Sequence, residues 1–230
     1  MPVLLAALLL AGCNNDNKVI MKGAFTVPAE GMVYLDQSEV DRSTRVDSTE
    51  IKRGRFKFVT EVTGPEFYQL RFPGNEFVAL LVMPGENISL ELGKTPVAMN
   101  YTVQGSPGSA DIRLLDQQLL VTKTRLDSVR NIYNALSIDD LAVRGPELQK
   151  TYTEAVEAQR KFNIKFVVEH ISSMSSIQAL YQRLDENTYV LYQPRDLQYL
   201  KIVSDSLSVR YPVSRHVRAL KENVTSELNQ

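Results

Sequence analysis

Few residues of this chain are suited to nucleophilic, redox or metal chemistry. Its 230 residues include one cysteine, Cys13, and two histidines, His170 and His216. A single cysteine cannot form an intramolecular disulfide, a Cys-x-x-Cys redox pair or a cysteine-based zinc site. The histidines stand in no His-x-His or His-x-x-x-His pattern, and the common hydrolase, P-loop, dinucleotide-binding and zinc-protease motifs are absent. We therefore expect a protein that is not an enzyme, with no catalytic residue, metal site or cofactor.

Cys13 ends an apolar run, which points to another kind of chemistry. Residues 3–11 are apolar, too short a stretch for a bilayer span of about 20 residues, but typical of the hydrophobic part of a signal peptide. The thiol would then accept a lipid. Residues 1–13 contain no Lys or Arg, so either the true start lies upstream or the segment is a poor signal. The alternative is a buried N-terminal strand with a core cysteine.

The segment "LAGC" that ends at Cys13 resembles the lipobox of bacterial lipoproteins, in which small residues precede a lipidated cysteine. The resemblance implies a lipoprotein signal peptide over residues 1–13 and a tether over residues 14–18. One acyl chain binds a membrane only marginally, so several chains on Cys13 would make a lasting anchor. The protein is therefore expected in the cell envelope, with the membrane as its first partner through the lipid on Cys13. The expected membrane is the outer membrane, on its periplasmic or surface side.

Composition excludes a second class of function. The chain is 43% hydrophobic and 23% charged, as expected of a globular protein with one large or two small domains. Its net charge is −1, so no overall field attracts nucleic acid, and we expect no nucleic-acid partner.

The first half of the chain has the alternation and turns of a β-protein. In "RFKFVTEV", Phe56, Phe58 and Val62 fall on one face of a strand. Gly54 is placed to supply the positive φ of a hairpin. The run "FVALLVM" is apolar throughout and predicts the most central strand. The pattern predicts an antiparallel sandwich or barrel of about eight strands, over residues 18–25, 31–36, 45–52, 55–62, 66–73, 76–83, 87–93 and 99–104.

Four segments of this half carry a family resemblance: "GAFTVPAEGMVYL", "RVDSTEIKRGRFKF", "FYQLRF" and "VMPGENISLEL". Together they resemble a domain of unknown function found in lipoproteins of the Bacteroides group, over residues 19–105. The resemblance implies a small β-sandwich, usually followed by a thioredoxin-like domain of the alkyl hydroperoxide reductase/thiol-specific antioxidant type. It implies no functional residues. The Cys-x-x-Cys motif of such a redox domain does not occur in this sequence.

The period changes to that of helices over residues 106–230. Apolar residues recur at spacings of three and four, with Thr122 filling one gap. We expect two long helices that bury Leu115, Leu119, Leu126, Val129, Phe162 and Phe166 between them. "SIDDLAVRG" would connect them, and Gly145-Pro146 would open the second helix. A shorter helix is expected at 176–184. Two more are expected near the C-terminus, one with Pro194 in its first turn and a last one that Pro212 opens. The predicted fold is thus α+β, a sandwich followed by a helical region.

Three groups of polar residues are candidates for sites. Asp139-Asp140 suit acid/base chemistry or a cation, but their place beside Ser137 favours helix capping. His170, beside serines at a helix end, suits an interaction with the helix dipole. The last candidate of these three is a basic cluster that comprises Arg210, Arg215, His216, Arg218 and Lys221. Such a cluster suits phosphate or RNA, but its alternation with apolar residues favours a solvated helix face.

A set of tyrosines in the C-terminal part forms the last candidate. These residues suit a groove for a peptide or glycan, although rims of helix packing are the favoured interpretation. They are Tyr181, Tyr189, Tyr192, Tyr199 and Tyr211. The ligand-binding residues stay unknown at this point.

The sequence therefore predicts a lipid-anchored, non-enzymatic binding or scaffold module of the cell envelope. The alternative is the N-terminal part of a thiol-disulfide oxidoreductase whose thioredoxin-like domain is missing or separately encoded. In either case an envelope protein is the expected partner, a thioredoxin-like protein among the candidates.

Overall fold

A computed structural model describes residues 17–228 of the chain. Eight strands come first and five α-helices follow, which confirms the predicted fold class. The strands are β1 (Lys18–Phe25), β2 (Met32–Ser38), β3 (Ser43–Glu50), β4 (Arg55–Glu61), β5 (Glu66–Arg71), β6 (Phe77–Val82), β7 (Asn87–Leu92) and β8 (Tyr101–Gln104).

The strands form a sandwich of two four-stranded sheets. Sheet 1 has the order β4-β1-β7-β8, and sheet 2 has the order β3-β2-β5-β6. The pairing of β1 with β7 is parallel, and the other five pairs are antiparallel. Alternate residues of each strand point inward, so the two sheets bury one shared apolar core. All seven residues predicted for this core are buried, namely Phe56, Phe58, Leu70, Phe72, Leu80, Ile88 and Leu90.

The position of β6 differs from the prediction. Its apolar run predicts a central strand, whereas β6 lies at the edge of sheet 2. Val78, Leu80 and Val82 face the sandwich core, while Leu81 packs with residues of the helices on the outer face. The run is apolar because most of β6 is covered on both faces, by the other sheet on one and by helix on the other. Only one of its edges pairs with another strand.

The helices are α1 (Pro107–Ala135), α2 (Ile138–Glu169), α3 (Ser175–Tyr181), α4 (Leu197–Arg210) and α5 (Arg215–Leu228). Ser106 caps α1, where its hydroxyl accepts a hydrogen bond from the Ser109 amide at 3.2 Å. As predicted, α1 and α2 form the two long helices. No helix within residues 17–228 has an apolar stretch long enough to cross a bilayer.

The connector between the two long helices is much shorter than predicted. The helix α2 begins at Ile138, so "IDDLAVRG" forms its first turns and Pro146 lies inside it. The cap at Ser137 and the acidic residues of the first turn favour this early start. A proline inside a helix frees one carbonyl, and here the surrounding residues are exposed, so water can solvate that group.

Most of the helical core is shared with sheet 2. Phe67 and Leu81 of the sheet cluster with Ile112, Leu115 and Phe166. Residues of the last two helices join the same cluster, namely Val203, Leu207, Val217, Leu220 and Val224. Of the residues predicted between the long helices, Leu119 and Phe162 are only half-buried. The short helix α3 ends at Tyr181 rather than 184, and Pro212 precedes α5 in a turn instead of opening it.

Candidate functional site

The acidic pair Asp139-Asp140 has the capping role that the sequence favours. Both residues lie in the first turn of α2, rather than in a loop between helices. The hydroxyl of Ser137 accepts from the Asp140 amide at 3.2 Å and donates to the Asp140 carboxylate at 2.6 Å. Both carboxylates are exposed, and they form no site with other titratable groups among the described residues.

His170 lies at the C-terminal end of α2, as expected. Its ring stacks on Phe166 with centroids 4.1 Å apart, and its Nδ1 lies 2.9 Å from the Phe166 carbonyl oxygen. Nε2 is 3.8 Å from the carboxylate of Asp111. These contacts place His170 in the helix cap, where it supports packing between α2 and α1.

The basic cluster is a solvated face at every position except one. Arg210, Arg215, Arg218 and Lys221 are exposed. His216 turns inward instead, and its ring meets that of Phe67 edge-on with centroids 4.9 Å apart. Burial lowers the pKa of His216 below its ordinary value, although the nearby Glu66 carboxylate opposes the shift. His216 therefore belongs to a different feature from the four cations.

The tyrosines divide between two environments. Tyr181 and Tyr189 come together, with ring centroids 6.4 Å apart in an edge-on arrangement. The other three lie elsewhere: Tyr192 is half exposed, Tyr199 packs against the helical core, and Tyr211 lines a separate hollow at the end of α2. The structure thus places two of the five tyrosines in a groove and packs Tyr199 and Tyr211 against the helical core, while Tyr192 does neither.

We call this feature the tyrosine groove; it lies between the outer face of sheet 2 and the helices α3 and α5. Phe67 of β5 and Ala79 of β6 form its floor, and its volume is about 450 Å³. Its walls carry Tyr181, Tyr189, His216, Ala219, Leu220 and Asn223. This volume and the mixture of rings with a few polar groups are typical of small-molecule sites.

The walls form because α5 is amphipathic. Val217, Leu220 and Val224 recur at spacings of three and four, and they are buried against the helical core. His216 and Asn223 flank this apolar stripe, so they face the groove from its edge.

The polar groups of the groove are held in place. The Asn223 amide donates to the Tyr181 hydroxyl oxygen at 2.8 Å. Burial raises the pKa of the Tyr181 hydroxyl above its ordinary value, and the hydrogen bond from Asn223 opposes the shift. At the rim, the guanidinium of Arg183 lies over the ring of Tyr189, 4.3 Å from its centroid, and donates to the Tyr189 hydroxyl. At neutral pH the groove therefore offers uncharged hydroxyl, amide and imidazole groups.

A buried polar network behind the groove was not predicted from the sequence. Gln159 and Asn163 project from α2 and are fully buried. The Gln159 carbonyl oxygen accepts from Thr122 at 2.6 Å, and its amide donates to Asn163 at 2.8 Å. The Asn163 amide in turn donates to the Ala179 carbonyl and to the Gln182 side chain, at 2.8 and 2.9 Å. The network joins α1 and α2 to the end of α3 that carries Tyr181.

A buried ion pair completes this support. The guanidinium of Arg160 on α2 donates two hydrogen bonds to the carboxylate of Asp196, which precedes α4. Side-chain exposure is 6% for Arg160 and 2% for Asp196. The pair fixes the segment between α3 and α4, which contains Tyr189. The sequence holds one signal for the polar network: Gln159 and Asn163 occupy the apolar face of α2, between Ala155 and Phe166.

Other hollows bring together less chemistry. One lies at the start of α1 and the end of α2, where burial raises the pKa of Glu86, and has a volume of about 530 Å³. Another, of about 940 Å³, is lined by the loop at 25–31 and the residues at 50–54. Neither joins several ring faces to fixed polar groups. Within residues 17–228 no cluster of His, Cys, Asp and Glu is suited to a metal ion. Cys13, the predicted lipidation site, lies outside the described residues.

Comparison with known proteins finds a similarity over the N-terminal part of the chain. No curated protein matches the sequence. Residues 19–112, which span nearly the whole sandwich and the first turns of α1, match the model of the family described as Domain of unknown function (DUF4369), so this part of the chain is similar to that family.

Proposed function

We propose that this protein is a non-enzymatic binding module and that its ligand lies in the tyrosine groove. The observation that carries the proposal is the convergence of three aromatic side chains with fixed, uncharged hydrogen-bonding groups in one concave site. Phe67, Tyr181 and Tyr189 supply the rings, and Asn223 and His216 supply the polar atoms. Such an arrangement is more specific than a packing rim, in which rings meet only one another.

The lining favours a neutral ligand that bears a ring. The charges at the rim are engaged: Glu39 pairs with Arg42 at 3.0 Å and with Arg215 at 3.5 Å, and Arg183 is held by Tyr189. Arg183 keeps its positive charge, because its hydrogen bonds go to the neutral Tyr189 hydroxyl and the Glu186 carbonyl. That charge lies at the rim, and the interior of the groove presents uncharged groups to a ligand. Ring faces of tyrosine and phenylalanine stack on planar or saturated rings, so an aromatic peptide side chain or a sugar ring has suitable chemistry.

Nuclear magnetic resonance with small ring-bearing probes tests the proposal. Phenol and indole should produce saturable shifts of the Asn223 side-chain amide and of the Ala219 backbone amide. The variant Ala219→Trp fills the groove and should abolish these shifts. Ala142→Trp places the same side chain on an exposed position of α2 and should leave them intact. Unchanged probe shifts in Ala219→Trp, or none in the natural chain, would exclude the groove.

We further propose that the module is held in the cell envelope by lipid on Cys13. The apolar run, the small residues before the cysteine and the polar residues after it support this location. Cys13 is five residues before the start of β1, so the sandwich would lie within about 17 Å of the anchored residue if the tether is extended. A protein or glycan of the envelope is then within reach of the groove.

The alternative role, as part of a thiol-disulfide oxidoreductase, stays a prediction that rests on the resemblance alone. Reading the coding sequence downstream of Gln230 tests it directly. A protein that lacks residues 1–13 contains no thiol, so we expect it to reduce no insulin disulfides. Turnover above the buffer blank would favour the oxidoreductase role.

A further inference from the structure

The helices cover only part of the outer face of sheet 2. Phe67 and Leu81 lie beneath them. Further along the same strands the face is open, and Phe77 at its edge is 49% exposed. On this open part, cross-strand pairing places Tyr34 of β2 opposite Arg71 of β5, and Asp36 of β2 opposite Arg45 of β3.

Asp36 orients both arginines. Its side chain is 6% exposed, and one carboxylate oxygen accepts from Nε and Nη2 of Arg71 at 3.1 and 2.6 Å. The other oxygen accepts from Nε of Arg45 at 3.4 Å. The guanidinium carbons of Arg45 and Arg71 lie 3.9 and 5.4 Å from the centroid of the Tyr34 ring. A buried carboxylate and a ring face thus fix two cations side by side.

The cluster has a surplus positive charge and spare donors. Two guanidinium groups share the single carboxylate of Asp36. Within residues 17–228, Nη1 of Arg71 and both terminal nitrogens of Arg45 make no hydrogen bond. The nearest acidic residues of β3 are engaged elsewhere: Asp47 accepts from the Ser48 amide at 2.7 Å, and Glu50 lies 4.0 Å from Lys52.

We propose that Arg45 and Arg71 form a binding site for an oxyanion, a carboxylate or phosphate group of a ligand. Guanidinium groups bind such groups through paired N–H donors, and donors that are already oriented lose little freedom on binding. The arginine side chains are 49% and 37% exposed, so the donors are accessible. This site is distinct from the tyrosine groove and does not depend on a ligand there.

Side-chain signals of arginine in a ¹⁵N-labelled protein test the site. The full chain carrying Cys13→Ser is titrated with inorganic phosphate and, separately, with acetate; sodium chloride at equal ionic strength is the blank. The Nε–H signals of Arg45 and Arg71 should shift saturably with at least one anion. The anion that saturates at the lower concentration identifies the group that the site prefers.

Two matched variants separate a built site from a general charge effect. Arg45→Gln keeps the pair of Asp36 with Arg71, so the sheet stays intact, and it should weaken anion binding at least about tenfold through the loss of charged donors. Arg55→Gln makes the same change at an exposed position of sheet 1 and should leave binding unchanged. Shifts that fail to saturate with both anions, or equal weakening in both variants, would overturn the proposal.

Discussion

Replacing Arg160 with Met should be among the most destabilising single changes in the helical region. Arg160 donates two hydrogen bonds to Asp196, and both side chains are almost fully buried. The substitution removes the cation and leaves the carboxylate inside the protein. Among residues 17–228, only the Gln193 backbone amide, at 3.0 Å, would still donate to it.

The expected cost follows from this geometry. Breaking a buried ion pair by removing one partner costs about 3–5 kcal/mol, because an uncompensated charge stays buried. The free energy of unfolding of an ordinary domain is about 5–15 kcal/mol, so Arg160→Met would remove a large part of the stability. With a urea slope of about 2 kcal/mol per M, the unfolding midpoint should fall by about 2 M.

Urea unfolding followed by circular dichroism measures this change. Arg130→Met is the matched control, because Arg130 pairs with Asp127 on the exposed surface of α1, with both side chains more than half exposed. An exposed pair contributes about 0–1 kcal/mol, so the control should unfold close to the natural chain. The double variant Arg160→Met/Asp196→Leu replaces the pair by apolar side chains and should recover most of the lost stability.

Two results would refute the reasoning. One is an Arg160→Met variant within about 1 kcal/mol of the natural chain, which would mean that water or another group compensates Asp196. The other is a double variant as unstable as the sum of the single changes. That sum would indicate that the two side chains do not interact in the folded state.

Three further predictions address the anchor, the groove and the docking of α1. Cys13→Ser should abolish labelling by fatty acid and move the protein from the membrane to the soluble fraction; a labelled, membrane-bound variant would contradict lipidation. Folding lowers the pKa of His216 from its ordinary 6.5, so its contribution to stability is present above pH 6.5 and is lost as the pH falls toward the folded-state value. Between about pH 7.5 and 5 the natural chain should therefore lose more thermal stability than the His216→Gln variant. An equal loss in both would count against a buried neutral imidazole. Gly108→Ala should destabilise the protein although alanine favours helices, because the new Cβ would lie 2.9 Å from the Leu81 side chain. Gly145→Ala is the control: its Cβ would meet only one ring carbon, at 4.0 Å, so it should be neutral or stabilising by up to about 1 kcal/mol. The reverse order in thermal melts would show that α1 does not pack on β6 as described.

The β-sandwich was predictable because its determinants are local. The predicted first strand and β1 have the same bounds, and the other strands agree within about two residues. Alternation fixed the inward faces, and turn chemistry fixed the ends: Gly54, Gly74 and Gly85 all have the positive φ that their turns require. The order of the strands in each sheet could not be predicted in this way. An apolar run such as that of β6 indicates burial on both faces, but it does not show whether a helix or another sheet covers them, or whether the strand lies at an edge.

The errors in the helical region have a different cause. Proline and glycine are strong signals for helix boundaries, and Gly145-Pro146 predicts the start of the second helix. The actual start of α2 is set by the cap at Ser137, eight residues before Gly145. Both signals are present in the sequence, and local rules do not rank them. The division of the chain into a sandwich and a helical region is also less sharp than the change of period indicates, because Phe67 and Leu81 of the sandwich pack with the helices.

The candidate sites depend on contacts that are distant in sequence. The groove joins β5 and β6 to α3 and α5, and the arginine cluster joins three strands, so neither forms a motif at fixed spacing. Tyr181 and Tyr189 belong to the set of C-terminal tyrosines for which the sequence offers a groove as one interpretation. His216 was grouped with surface cations because its neighbours in sequence are basic, whereas its neighbours in space are Phe67 and Glu66.

The polar network connects the stability of the helical region to the shape of the groove. Asn163 holds the Ala179 carbonyl and the Gln182 side chain, and Tyr181 lies between these two residues in the sequence. The backbone on both sides of Tyr181 is therefore positioned from α2, while Asn223 of α5 orients only its hydroxyl. A change in the network should consequently impair folding and ligand binding together. A change such as Ala219→Trp touches only the groove, so it can separate the loss of binding from the loss of structure.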